Sequence, residues 1–114
     1  MIEVEEYITE EGISPFTDWF DSLNAHAANK VNTHLTRIRE GNTSSLKPIK
    51  GAFGEIRIDF GPGDRVYVGR DGDKIIILFG GGTKQRQQKD IDNAWILWEE
   101  YKKRKKDYYH GHYA

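Results

Sequence analysis

Apolar and charged residues alternate strictly in the middle of this chain. Ile56, Ile58 and Phe60 fall on one face of an extended segment, and the charged residues between them fall on the other. Two further apolar segments follow, and the Asp71-Gly72 pair between them is a strong hairpin signal. The pattern predicts three antiparallel strands, at about 54–60, 64–70 and 73–79.

Helical periodicity occurs on both sides of these strands. Ser14-Pro15 is typical of a helix start, because a hydroxyl cap is followed by proline in the first turn. A second helix is expected to end near Gly41-Asn42, and a last helix to begin at about Gln87. The apolar stripes of the three helices are Phe16, Trp19, Phe20 and Leu23; Ala28, Val31, Leu35 and Ile38; and Ile91, Ala94, Trp95, Trp98 and Tyr101.

The remaining segments complete the predicted fold. Alternation over Ile2–Ile8 predicts a first strand, and Asn42–Pro48 a polar loop. The last helix is expected to close with the basic run at 102–106. The order is β-α-α-β-β-β-α, an α+β fold with a small, mainly antiparallel sheet covered on one face by helices. Residues 1–106 are predicted to form one domain and residues 107–114 a flexible tail.

Length and composition narrow the functional classes. A chain of 114 residues is long enough for one modest core. The absence of cysteine excludes disulfides and thiolate metal sites. The sequence has no apolar run of the ~20 residues that a membrane-spanning helix needs, and its start does not resemble a signal peptide. We therefore expect a cytoplasmic protein without a membrane partner.

Charge is distributed unevenly along the chain. Residues 1–24 carry seven acidic and no basic side chains, whereas the remaining residues carry 17 basic and 11 acidic ones, a net charge of +6. Such separation favours a polyanion as partner of the basic part. It is equally compatible with pairing between the acidic and basic segments within the fold.

The strands offer a candidate phosphate site. Arg57 and Arg65 lie on neighbouring predicted strands and project from the same polar face. If they converge, their guanidinium groups form a fork for one phosphate. The alternative is that both are solvated residues paired with Glu55 and Asp59.

More cations follow the last strand. Gly80–Gly82 and Lys84 lack the spacing of a nucleoside-triphosphate-binding loop, so the glycines are interpreted as a close turn. This turn places Lys84 and Arg86 beside the start of the last helix, where backbone amides favour anions, unless it is a plain solvated turn. The basic surface is extended by Lys47, Lys50 and Lys89.

The motifs resemble those of a known superfamily. The chain contains G-x-x-x-E-I-R, then a glycine-rich turn into R-V-Y, then an apolar strand that leads into G-x-x-K-x-x-Q-x-K-D-I. With the element order, this pattern resembles the RelE/ParE toxin superfamily over about residues 2–102. It is similar in particular to the HigB-like addiction module killer branch of type II toxin–antitoxin systems. The matching residues are Gly51, Glu55, Ile56, Arg57, Gly61, Arg65, Val66, Tyr67, Gly80, Lys84, Gln87, Lys89, Asp90 and Ile91.

This resemblance implies a ribosome-dependent mRNA endoribonuclease that uses neither metal nor cofactor. In such an enzyme the 2′-hydroxyl attacks the adjacent phosphate, and a cognate antitoxin, often a helix-turn-helix protein, neutralises it. The implied catalytic residues are Arg57, Arg65 and Lys84, with Arg86 as a nearby candidate. The RNA-binding candidates are Lys47, Lys50, Tyr67 and Lys89.

The chain departs from the family pattern in its proton-transfer group. Several relatives place a tyrosine or histidine near the start of the last helix, but residues 85–92 contain neither. Tyr67, a residue of the tail, or a lysine with a lowered pKa are the candidates. Asp64 also departs, since an aromatic residue usually precedes the strand arginine. Two non-enzymatic alternatives are a ParE-like inhibitor of DNA gyrase and a catalytically inactive binding member of the superfamily.

Overall fold

The computed structural model describes the backbone of residues 1–113 and the side chains of residues 1–108. The fold is α+β, as the sequence predicted. The elements are β1 (Glu3–Glu6), α1 (Pro15–Asp21), α2 (Ala25–Arg39), β2 (Leu46–Lys50), β3 (Phe53–Arg57), β4 (Arg65–Asp71), β5 (Ile75–Gly82), a single 3₁₀ turn (Lys84–Arg86) and α3 (Gln87–Tyr113).

The five strands form one mixed sheet in the order β1-β5-β4-β3-β2. β1 pairs with β5 in parallel, and the other neighbours are antiparallel. The strand β2 corrects the sequence analysis, which placed a loop at Asn42–Pro48. Its sequence is rich in lysine and contains Pro48, and such residues are tolerated at the edge of a sheet.

Helices cover both faces of the sheet, so the prediction of one covered face is wrong. Strands β3 and β5 each bury four successive residues, a pattern typical of a sheet that is covered on both sides. The α1/α2 face has a core of Phe16, Val31, Leu35, Ile38, Ile56, Ile58, Val66, Val68, Ile76 and Leu78. The α3 face has a core of Tyr7, Phe53, Tyr67, Ile77, Phe79, Ala94 and Trp98.

Close packing fixes α3 against the sheet. A Cβ atom on Gly69 would lie 2.3 Å from the ring of Trp98, so glycine lets the helix approach β4. The helix continues to Tyr113, beyond the predicted end near residue 106. Residues 107–114 were predicted to form a flexible tail, and most of their side chains lie outside the described residues. Within residues 1–113, no helix combines the length and apolar character needed to cross a bilayer.

Candidate nucleic-acid site

The candidate site lies at one end of the α3 face, beyond the apolar core. Lys47, Glu55, Tyr67 and Gly80 are successive partners across β2, β3, β4 and β5. The next row places Arg57 opposite Arg65, and Arg65 opposite Gly82. Residues two apart on a strand share a face, so both rows project toward the beginning of α3. The predicted convergence of the two arginines therefore follows from strand register.

Glu55 is the centre of this cluster. It is 3% exposed, and its Oε2 lies 3.1 Å from Arg65 Nε. Its Oε1 lies 3.6 Å from Arg57 Nη2 and 3.5 Å from Gln87 Nε2. The Arg65 Nε–H is not aligned with the carboxylate as a hydrogen bond requires, so the two groups meet as an ion pair. One buried carboxylate therefore faces two guanidinium groups, and the Asp90 carboxylate lies close by, against Gly82, the strand partner of Arg65.

The alternative of solvated arginines paired with Glu55 and Asp59 holds only in part, because Arg57 is solvated but Arg65 is largely buried. Both pair with the same carboxylate, and among the described side chains Asp59 forms no ion pair with either. Asp64, the residue before the strand arginine, is itself buried, and burial raises the pKa of its carboxyl group. Among the described side chains, neither Asp59 nor Asp64 draws an arginine away from Glu55.

The two arginines differ in their exposure. The Arg57 side chain is 55% exposed, whereas that of Arg65 is 11% exposed. Arg65 Nη1 also donates a hydrogen bond of 2.5 Å to the backbone oxygen of Gly63. The exposed guanidinium of the cluster is thus that of Arg57, and Arg65 is directed into the protein.

Lys84 joins the cluster through the turn between β3 and β4. A Cβ atom built on Gly63 would lie 3.2 Å from Arg65 Nη1 and 3.5 Å from Lys84 Cβ. The turn is therefore packed between these two side chains, and Lys84 is exposed beside it. This arrangement places the Cβ atom of Lys84 beside the turn that Arg65 contacts.

Tyr67 is placed differently from the sequence-based prediction. It is 1% exposed and belongs to the α3-face core, so its ring is not a surface on which RNA bases stack. Burial, reinforced by the negative charges of Glu55 and Asp90, raises the pKa of Tyr67 to about 12. Its hydroxyl has no hydrogen-bond partner within the described part of the chain. A phenol with this pKa keeps its proton at neutral pH and is a poor general base.

The remaining predicted residues lie outside the cluster. Lys50 Nζ lies 4.8 Å from the centre of the Trp95 ring, a cation–π contact at the apolar end of the face. Arg86 and Lys89 are exposed on the 3₁₀ turn and the first turn of α3. Among the side chains of residues 1–108, neither contacts Glu55 or the two arginines.

Sequence reasoning missed the role of two residues. Glu55 was predicted to match the superfamily pattern or to pair with a solvated arginine, but not to join two arginines, although its spacing of two from Arg57 places both on one face. Gln87 was predicted to match the same pattern and to start a helix, but its contact with Glu55 spans 32 residues of sequence. In the described part of the chain, no three histidine, aspartate or glutamate side chains form a metal-ligand set.

Comparison with known proteins adds one relative. No family model matches the chain. A protein from Haemophilus influenzae, described as uncharacterized, is 37% identical over 86 residues, which cover 75% of this chain and 87% of the relative.

Proposed function

We propose that this chain, which belongs to the same family as the uncharacterized Haemophilus influenzae protein, is the toxin of a type II toxin–antitoxin system. Its activity would be the metal-independent cleavage of mRNA on the ribosome, in the cytoplasm, with a helix-turn-helix antitoxin as the expected partner. One observation carries this proposal: Arg57 and Arg65 meet at a single buried carboxylate, with Lys84 beside them. The resemblance to the RelE/ParE superfamily gives that cluster its expected chemistry.

The reaction requires positive charge at one phosphate. When the 2′-hydroxyl gives up its proton and its oxygen bonds to phosphorus, the phosphodiester becomes a phosphorane with one more negative charge. That charge leaves with the 5′-oxygen, which takes up a proton as its bond to phosphorus breaks. Guanidinium and ammonium groups held in place beforehand stabilise that charge more in the transition state than in the ground state. The exposed Arg57 and Lys84 are suited to this task, since both side chains are accessible to a phosphate from solvent. The products are a 2′,3′-cyclic phosphate and a 5′-hydroxyl.

Proton transfer has no assigned residue. Tyr67 is excluded as a general base by its pKa of about 12. His34 lies on α2, which covers the other face of the sheet. The tyrosine and histidine residues at 109–113, which were sequence-based candidates, continue α3, and at a rise of 1.5 Å per residue they lie roughly 33 Å or more along the helix from Gln87 at the cluster.

A second candidate function is a binding protein of the same superfamily without nuclease activity. The burial of Arg65 and Tyr67 favours it, because two of the residues expected to face RNA face the protein interior. Such a protein would use the exposed cations to hold a polyanion or a partner, as a DNA gyrase inhibitor would hold its target. The two candidates predict different products in one assay.

The deciding experiment incubates the purified protein with translating ribosomes and maps the 5′ ends of the RNA. We expect new 5′-hydroxyl ends within the translated message. Arg57→Ala should slow cleavage roughly 100- to 1,000-fold, the usual effect of removing one transition-state donor. Arg39→Ala is the matched control, since Arg39 is an exposed arginine at the end of α2.

Two results would contradict the nuclease proposal. Intact message at stoichiometric protein would exclude ribosome-dependent cleavage. Stalled supercoiling of plasmid DNA by gyrase, with intact message, would instead establish the non-enzymatic alternative.

A further inference from the structure

The two arginines of the cluster are bound by different kinds of contact. The Nε atom of Arg65 lies 3.1 Å from the Glu55 carboxylate, and its Nη1 donates a hydrogen bond of 2.5 Å to the backbone oxygen of Gly63. The Arg65 side chain is 11% exposed. Arg57 makes one longer contact of 3.6 Å to the same carboxylate and keeps more than half of its surface in solvent. A group with two short internal contacts is poorly placed to receive a phosphate, whereas Arg57 needs little rearrangement to do so.

The groups that Arg65 contacts lie next to the two exposed cations, Arg57 and Lys84. Through Glu55, Arg65 is connected to Arg57. Through Gly63, at which an added Cβ atom would lie 3.5 Å from Lys84 Cβ, it reaches the neighbourhood of Lys84. The planar guanidinium of Arg65 can contact the Glu55 carboxylate and the Gly63 oxygen at the same time because its donors point in fixed directions. The single ammonium group of a lysine cannot reproduce this geometry.

We infer that Glu55 and Arg65 are positioning residues that hold Arg57 and Lys84, and that only Arg57 and Lys84 contact the RNA phosphate. This inference rests on the proposed function and assigns different roles to two arginines that the sequence makes equivalent. Glu55 would orient the Arg57 guanidinium, and its burial keeps it from taking part in the reaction itself. Arg65 would fix the turn at Gly63 against which Lys84 packs.

The salt dependence of RNA binding separates the two roles without any reaction. The probe is a fluorescent single-stranded RNA with 2′-O-methyl groups, which lacks the attacking hydroxyl. Each phosphate contact contributes about 0.7 to the slope of log affinity against log salt for single strands. We expect Arg57→Gln and Lys84→Gln each to reduce the slope by about 0.7. Arg65→Gln should leave the slope at the wild-type value and lower the melting temperature.

Three further variants sharpen this test. Arg65→Lys keeps the charge but cannot span Glu55 and Gly63, so it should also lower the melting temperature and leave the slope unchanged. Glu55→Gln removes no cation, so its slope should stay the same while kcat for cleavage falls and KM changes by less than about twofold. Arg39→Gln, on the opposite side of the sheet, controls for the loss of one positive charge.

The outcomes distinguish this inference from the proposed function. A slope reduced as much by Arg65→Gln as by Arg57→Gln would overturn the inference, because Arg65 would then contact phosphate. Arg65→Lys with wild-type melting temperature and kcat would overturn the positioning role. Binding with the expected slopes, together with intact message in the ribosome assay, would support the positioning and phosphate-binding roles and contradict the nuclease proposal. No binding by the wild-type protein would overturn the inference, whereas cleavage on the ribosome is tested separately by the new 5′-hydroxyl ends.

Discussion

The two faces of the sheet are built from the same strands but have different compositions. The buried core of the α1/α2 face consists of aliphatic residues together with Phe16. The core of the α3 face is mostly aromatic, and next to Tyr67 this face carries Glu55 and Arg65. One face thus serves only to hold the fold together, whereas the other combines a core with a charged cluster.

This difference shows how a small domain accommodates a charged cluster. The strands are held from the α1/α2 side, where burial of apolar surface is continuous. The α3 face can therefore place a carboxylate and a guanidinium at its end, where the remaining charge is exposed on Arg57. A buried ion pair contributes little net stability, so we interpret this one as positional.

The largest expected effect is on the face that serves only the fold. Ile38 is fully buried on α2, so Ile38→Ala should lower the free energy of unfolding by about 2–5 kcal/mol. Urea denaturation measures this loss, with Ile96→Ala, at a site 62% exposed on α3, as the control that should change it by less than about 0.5 kcal/mol. The folded Ile38 variant should bind RNA like the wild type. A loss of binding in a fully folded variant would break the division between the two faces.

A second prediction concerns the boundary between core and cluster on the α3 face. The folded-state pKa of Tyr67 is about 12, whereas an unperturbed tyrosine has a pKa of about 10. In this interval the unfolded chain loses a proton that the folded protein keeps. Stability should therefore be full below pH 10 and fall by about 2–3 kcal/mol as the pH rises to 12. Urea denaturation at pH 9 and 11.5 measures the decline.

The variant Tyr67→Phe isolates this effect. It removes a buried hydroxyl that has no partner among the described residues, so stability at pH 7 should be unchanged or slightly higher. The part of the alkaline decline that Tyr67 causes should disappear. An equally steep decline in the variant would show that other groups cause it.

The smallest expected effect is at the apolar end of the α3 face. Hydrogen bonds from Lys105 at 2.6 Å and from Tyr101 lower the pKa of Asp71. Since the folded-state pKa is lowered, this stabilisation is present above the unfolded pKa near 4 and is lost as the pH falls through the folded value. Asp71→Asn should cost about 0.5–1 kcal/mol at pH 7 and less at pH 3. The exposed Asp73→Asn is the control, and equal losses for both would contradict a specific role of Asp71.

Much of the fold follows from the sequence. The hairpin at Asp71-Gly72 and the α+β class were predicted from turn residues and periodicity, and the structure confirms them. Val31, Leu35 and Ile38 of the predicted α2 stripe are buried, but Ala27 is the buried alanine and Ala28 is only half-buried. The strand β2 was missed because Lys47 and Pro48 disfavour strands on local grounds, and only pairing with β3 forms this one. The second covered face was missed because the charges of β3 masked the burial of Phe53 and Tyr67.

The site was predictable only in part. The register that brings Arg57 opposite Arg65 follows from the two strands and the turn between them. The direction of each guanidinium does not, because it depends on the Gly63 oxygen and on the burial of Glu55 beneath Gln87 of α3. Such contacts arise from the packing of segments that are distant in sequence. The alternation of residues along one strand gives no information about them.

The most direct measurement of the central claim is an NMR titration of ¹⁵N-labelled protein with a 2′-O-methyl RNA that cannot be cleaved. The account predicts saturable chemical-shift changes at Arg57, Lys84 and the first turn of α3, with the α1/α2 face unaffected. These changes should be absent in the Arg57→Ala variant. Shifts concentrated on α1 and α2, or no saturation at millimolar RNA, would contradict the assignment of this cluster as a phosphate site.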